Sequence, residues 1–170
     1  MIRVRVGDLA VALVDAVVRP MRSDGEAVTA VGRRLEVQAG ASLSDRLQGM
    51  GDLPVGGAVI TPGGALPAPF IIHVVVQSSE EPVTSHGVQR ALLNGLRRAR
   101  DLGLGSVAFP PVGVGAGNLE VEEAAHLLVE VLRDHLRDGE QPLDFEILVE
   151  SSYEAELFLR EVSARDPAET

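Results

Sequence analysis

The sequence predicts an α/β fold, with a largely buried sheet between layers of helix. Short apolar or β-branched runs alternate along the chain with longer segments that are apolar at every third or fourth position. The run Phe70 to Val76, FIIHVVV, is apolar almost throughout, as expected of a central strand covered on both faces. The length of 170 residues suits one domain. That domain is placed at residues 1–162, with 163–170 as a flexible tail.

Ile2 to Val6 alternates apolar residues with Arg3 and Arg5, which reads as an edge strand with one wet face. Ala16 to Val18 is a second short strand, stopped by Arg19-Pro20. Glu26 to Gln38 carries Ala27, Val28, Val31 and Leu35 at helical spacing, with Ser23 or Asp24 as cap and Gly40 as stop. Ser42 to Leu47 is a further short helix, capped by Ser42.

Gly56 to Thr61 is a strand, ended by Pro62-Gly63-Gly64. After the Phe70 strand, a helix starts at Thr84 or Ser85 and runs to about Leu102, with Val88, Ala91, Leu92, Leu96 and Ala99 inward. Ser106 to Phe109 is a short buried strand. Val121 to Leu136 is a helix, with Glu122 and Glu123 in its first turn and Arg133 and Arg137 near its end, both dipole-compatible. Phe145 to Val149 is the last strand and Tyr153 to Val162 the last helix.

The most informative stretch is Ser106 to Leu119, SVAFPPVGVGAGNL. It reads as strand, glycine loop and helix N-terminus. Gly113, Gly115 and Gly117 stand at every second position, among Val114, Ala116 and Asn118. Glycine permits φ > 0 and close approach to the backbone. Free N–H groups of such a loop, backed by a helix dipole, suit an anion such as a phosphate. A tight connection that merely needs small residues is the competing explanation.

Composition narrows the chemistry. Aromatics make up 3% of the chain, so the core is built from Val, Leu, Ile and Ala. The formal net charge of −10 argues against nucleic acid as partner and opposes any anion at long range. A phosphate would therefore have to be held by local backbone donors. The absence of cysteine excludes disulfides, a thiolate nucleophile and a thiolate zinc site. Every residue in the Lys+Arg total is arginine, which excludes a Schiff base or a Walker lysine. Asp8 and Asp15 interrupt the apolar run near the start, and no stretch is long enough to cross a membrane. No membrane partner, no resident cofactor and no metal are expected, and the location is read as cytoplasmic.

Four stretches resemble the macrodomain family. Gly7-Asp8-Leu9 is similar to the family's G-D-I/L after its first strand. Asp15-Ala16-Val17-Val18 is similar to the D-A-I/V-V that leads into its Asn-Ala-Ala-Asn motif. Gly56 to Leu66, followed by Ile71-Ile72-His73-Val74, is similar to its G-x-A-x-x-T-x-G-x-x-L and x-I-H-x-V. Pro110 to Leu119 with Glu122 to Ala125 is similar to its P-x-x-G-T-G-x-G-G-x-P and the helix behind it. The resemblance covers roughly residues 1 to 162. It implies a three-layer α/β/α fold with a central mixed, largely parallel sheet, and a nucleotide or phosphate-containing ligand akin to ADP-ribose. Carried over by position, Asp8 accepts the adenine amino group with the Leu9 backbone beside it, and Gly113, Val114, Gly115, Ala116, Gly117 and Asn118 wrap the diphosphate. His73 is read as a core histidine.

The departures are equally specific. Arg19-Pro20-Met21-Arg22 stands where the family has Asn-Ala-Ala-Asn, so Arg19, Met21 and Arg22 form an altered pocket wall. Arginine has no acceptor to offer a ribose. The family's first glycine loop falls on Val28-Thr29-Ala30-Val31, whose β-branched residues suit a continuing helix better. Each lost hydrogen bond costs ~1–3 kcal/mol, so the two changes together predict binding two to four decades weaker.

The expectation is thus a divergent, non-catalytic macrodomain that binds nucleotide weakly or with altered specificity. Two alternatives stand beside it. One is a scaffold or assembly protein, such as a homo-oligomer, whose cleft is filled by Arg19, Met21 and Arg22. The other is an ADP-ribosyl hydrolase or O-acetyl-ADP-ribose deacetylase, with Asp24 and Glu26 as acid candidates that otherwise read as helix capping. A dinucleotide-binding oxidoreductase fits less well, since its G-x-G-x-x-G opens the first βαβ unit and here the loop is late.

Overall fold

The computed structural model describes residues 1–115 and 118–164. Six strands form a single sheet: β1 (Ile2–Val6), β2 (Ala16–Arg22), β3 (Ala58–Pro62), β4 (Phe70–Gln77), β5 (Ser106–Phe109) and β6 (Asp144–Val149). Their spatial order is β1-β6-β5-β2-β4-β3. Every neighbouring pair is parallel except β3–β4, which is antiparallel. The helices are α1 (Ala30–Ala39), α2 (Ala41–Gly49), α3 (Ser85–Asp101), α4 (Val121–Arg137) and α5 (Ser152–Ser163).

The sheet is buried on both faces by two separate apolar layers. Val18, Ile72, Val74, Val107 and Ile147 pack under Leu92, Leu96, Leu128, Leu132 and Phe158 of α3, α4 and α5. Val17, Met21, Ile71, Val75 and Leu148 pack under Leu35, Leu43 and Leu47 of α1 and α2. Alternate residues of each central strand thus face opposite layers, as the strand period of two requires. This is the expected three-layer α/β/α arrangement with a mixed, mostly parallel sheet.

Most elements fall within a residue or two of the sequence expectation, but β2 does not. It continues through Arg19 and Pro20 to Arg22. Pro20 is tolerated because its carbonyl accepts from Val28 N at 3.5 Å, away from β4. The missing N–H therefore faces a flank where pairing with β5 has ended at Val17. The first helix also begins later than expected. Residues 26–28 double back along β2, with Ala27 bridged to Met21 and Arg22 N donating to Glu26 O at 2.8 Å. Thr29, and not Ser23 or Asp24, then caps α1 through a 3.3 Å bond from Gly32 N. Helix α2 starts at Ala41 behind Gly40, without a side-chain cap from Ser42. Ser163 closes α5, and residues 165–170 of the expected tail lie outside the described residues.

Candidate functional site

The carboxyl ends of parallel strands are where an open α/β sheet leaves a crevice. Here the ends of β1, β6 and β5 border a cavity of about 560 Å³. Strand β1 and the turn after it contribute Val6, Gly7, Asp8 and Leu9; β6 and its exit contribute Leu148, Val149 and Glu150. Pro110, Pro111 and Val114 line it from the loop after β5, Glu154 from α5, and Thr29, Ala30, Val31 and Arg34 from the first turns of α1.

Local chemistry positions each wall. Asp8 caps the single turn Leu9–Val11, its Oδ1 accepting from Ala10 N at 2.9 Å, and remains exposed to the cavity. Gly7 N donates to Val149 O at 3.1 Å, which holds the β1 and β6 exits together. Ser151 caps α5 by accepting from Glu154 N at 3.2 Å, while Glu154 Oε1 accepts from Glu150 N at 3.3 Å. This is a variant of the capping box, and it aims the Glu154 carboxylate at the β6 exit. Arg34 on α1 pairs with Glu150 across the cavity mouth; both side chains are about half exposed.

The segment expected to continue a helix is instead a helix start. The N–H groups of Ala30 and Val31 belong to the first turn of α1 and have no intrahelical acceptor, and both residues line the cavity. In the glycine loop, Gly113 has φ +90° and Gly115 φ +135°, so both need glycine. Part of the loop's donor capacity is already used. Asn118 N donates to Gly115 O at 3.1 Å and Leu119 N to Gly113 O at 3.0 Å. Ala116 and Gly117 lie outside the described residues. Donors from α1 thus stand where the sequence offered only the glycine loop.

Of the residues expected at the site, the structure brings Asp8, Leu9 and Val114 to the cavity lining. It places Arg19 and Met21 elsewhere, both fully buried between the sheet and α1. Arg19 Nη2 donates to Glu36 Oε2 at 2.9 Å and to Gly25 O at 3.0 Å, and Nη1 reaches His73 Nδ1 at 3.4 Å and Met21 Sδ at 3.5 Å. Its Nε has no hydrogen-bond partner. Burial pulls the Arg19 pKa down, against the opposing pull of Glu36. Arg22 lies at the β2 exit beside Asp24, 3.8 Å away, and is not among the lining residues. Asp24 does not cap a helix; its Oδ1 accepts from Glu26 N at 3.1 Å within a turn, and neither acid lines the cavity.

His73 is a core histidine. It is fully buried, with Nε2 2.9 Å from Thr61 Oγ1. Burial first, and the Arg19 charge second, push its pKa down to about 3. The neutral ring accepts from Arg19 at Nδ1 and donates to Thr61 from Nε2, and Thr61 Oγ1 donates on to Pro62 O at 3.2 Å. Tyr153 is exposed, its hydroxyl 3.5 Å from Glu122 Oε1, and does not line the cavity.

Sequence reasoning missed Arg34, Glu150 and Glu154. The S-x-x-E spacing of Ser151 and Glu154 was a legible signal for one of them. Nothing local marks Arg34 or Glu150, because they meet only through the fold. Among the described residues no group of three or more His, Cys, Asp or Glu could hold a metal, and no helix is long and apolar enough to cross a membrane.

Comparison with known proteins places these features in a family context. A family model described as Macro domain matches residues 18–128. An uncharacterized protein of Aeropyrum pernix is 38% identical over 133 residues, covering 72% of this chain and 65% of that protein. A macro domain-containing protein of Methanosarcina mazei is 30% identical over 143 residues, covering 83% and 76%. About a third of the Aeropyrum protein therefore has no counterpart in the alignment. Among solved structures, a mutant of the Oceanobacillus iheyensis macrodomain with ADPR superposes with a TM-score of 0.84 at 21% identity, covering 94% of this chain and 90% of that one.

Proposed function

This chain belongs to the macrodomain family, and from that premise we propose that it binds a nucleotide of the ADP-ribose type without hydrolysing it. One observation carries the reading: the open cavity at the β1, β6 and β5 exits combines carboxylate acceptors with helix-terminal amide donors. Asp8 and Glu154 suit an exocyclic amino group, which only donates. The Ala30 and Val31 amides, with the positive end of the α1 dipole, suit phosphate oxygens. Such donors act locally, as a chain of net charge −10 requires. A cavity of about 560 Å³ also falls in the range of small-ligand sites.

The non-catalytic part rests on where the two acid candidates of the hydrolase alternative lie. Asp24 and Glu26 sit in the turn after β2, outside the lining, and Arg19 is committed to Glu36. The scaffold alternative required a filled cleft; Arg19 and Met21 instead pack beneath α1. Altered specificity follows from the same substitution, since β2 presents no asparagine to a distal ribose.

Calorimetric titration with ADP-ribose, ADP and AMP tests the proposal, paired with an assay for ADP-ribose release from a modified protein. Heat with at least one nucleotide and no release is the expected result. No heat with any of the three at millimolar concentration overturns the binding claim, and turnover overturns the non-catalytic one.

A further inference from the structure

The ion pair across the cavity mouth bears on what that nucleotide must look like. Arg34 lies one turn after Ala30, so Ala30, Val31 and Arg34 share the helical face that lines the cavity. Its partner Glu150 comes from the β6 exit. Both side chains are about half exposed, and a pair so exposed contributes little to folding stability.

The surroundings suggest another role. Among the described residues lining the cavity none is aromatic, and Arg34 is the one cation beside three carboxylates, Asp8, Glu150 and Glu154. Carboxylates can grip the edge of a base but offer no face to its ring. A guanidinium is planar, weakly hydrated and stacks on π faces. Arg34 is the one flat polar group within the lining able to do this, and Glu150 holds it from the other wall.

Building on the nucleotide reading above, we infer that the guanidinium plane of Arg34 is the platform on which the ligand's base stacks, with Glu150 as its positioning residue. The site thereby selects a ligand carrying an aromatic base over a bare phosphate or sugar phosphate.

Calorimetry with ADP and with inorganic pyrophosphate, on the wild type and three variants, tests this. Arg34→Ala is expected to weaken ADP about tenfold, the size of one lost base stack, and to leave pyrophosphate within about twofold. Glu150→Gln is expected to weaken ADP by a few fold as the plane loses its anchor. The sequence contains no tryptophan, so Arg34→Trp introduces a single fluorophore at the platform. It should restore ADP binding, and its emission should be quenched by ADP and not by pyrophosphate.

Equal weakening of ADP and pyrophosphate in Arg34→Ala overturns the stacking role, because charge alone would then explain it. So does tighter ADP binding in Glu150→Gln, which would make Glu150 a competitor. An unquenched Arg34→Trp that fails to bind ADP also overturns it. A wild type that binds ADP while Arg34→Ala binds it equally well removes Arg34 and leaves the nucleotide reading standing. A wild type that binds no nucleotide removes both.

Discussion

Arg19 and His73 are register partners on the neighbouring parallel strands β2 and β4, with Arg19 Nη1 3.4 Å from His73 Nδ1 and both side chains fully buried. The contact extends on one side to Glu36 of α1 and on the other to Thr61 of β3. A chain of polar groups thus runs from helix to sheet edge through an otherwise apolar layer. Ser44 of α2 joins it through Glu36 Oε1 at 2.7 Å. Buried charge of this kind is expensive to desolvate and tolerable only with its partners in place.

Removing the partner should therefore hurt more than removing the charge. Glu36→Ala leaves the Arg19 guanidinium buried without its counter-ion, and about 2–3 kcal/mol of stability should be lost, below the range for a fully buried pair because Glu36 is 27% exposed. Arg19→Met keeps volume, removes the charge and should cost less than Glu36→Ala. Urea denaturation of the two variants checks the order; equal or reversed losses contradict it.

His73 should make stability fall in acid. Its folded pKa of about 3 lies below the ordinary imidazole value, so between about pH 6.5 and pH 3 the unfolded chain binds the extra proton. Stability from this group is complete above about pH 6.5 and declines as pH falls through the window. Denaturation midpoints at stepped pH should show a shallower acid slope in His73→Asn than in wild type.

Gly113→Ala tests the loop's geometry. At φ +90° an L-residue is strained, and the new Cβ would lie 2.9 Å from Val88 Cγ2 and 3.0 Å from Leu119 Cδ1. Strain and crowding together should cost about 2–3 kcal/mol. Chemical denaturation reads the loss, and nucleotide titration should show weaker binding because Val114 beside it lines the cavity.

Thr29→Ala removes the cap of α1 and loosens the turn that presents the Ala30 and Val31 amides. A loss of about 1 kcal/mol is expected, with a fall in Tm of about 2–4 °C for a chain of this size. Calorimetry should show weaker uptake of a phosphate-bearing ligand. Thr29→Ser, which preserves the capping oxygen, should restore both.

Periodicity and turn residues determined a great deal by themselves. The apolar runs at Phe70 and Ser106, the helical stripes from Ser85 and Val121, and the order in which they alternate were legible because each is encoded locally. The resemblance of Gly7-Asp8-Leu9 and of the Gly113 loop to macrodomain motifs implied a shared site, and Asp8, Leu9 and Val114 do meet at the cavity. Tertiary structure alone decided the rest. Pro20 reads as a strand terminator until one sees that its nitrogen lies on the flank away from β4, beyond the last residue paired with β5. Val28 to Val31 reads as helix interior until residues 26–28 are seen pairing back on β2. Arg19 belongs to the core because Glu36, 17 residues away, is there to meet it, and Arg34 belongs to the cavity because Glu150, 116 residues away, faces it. Local sequence encodes dihedral preference and periodicity; which charge meets which is a property of distant segments brought together, and no local pattern carries it.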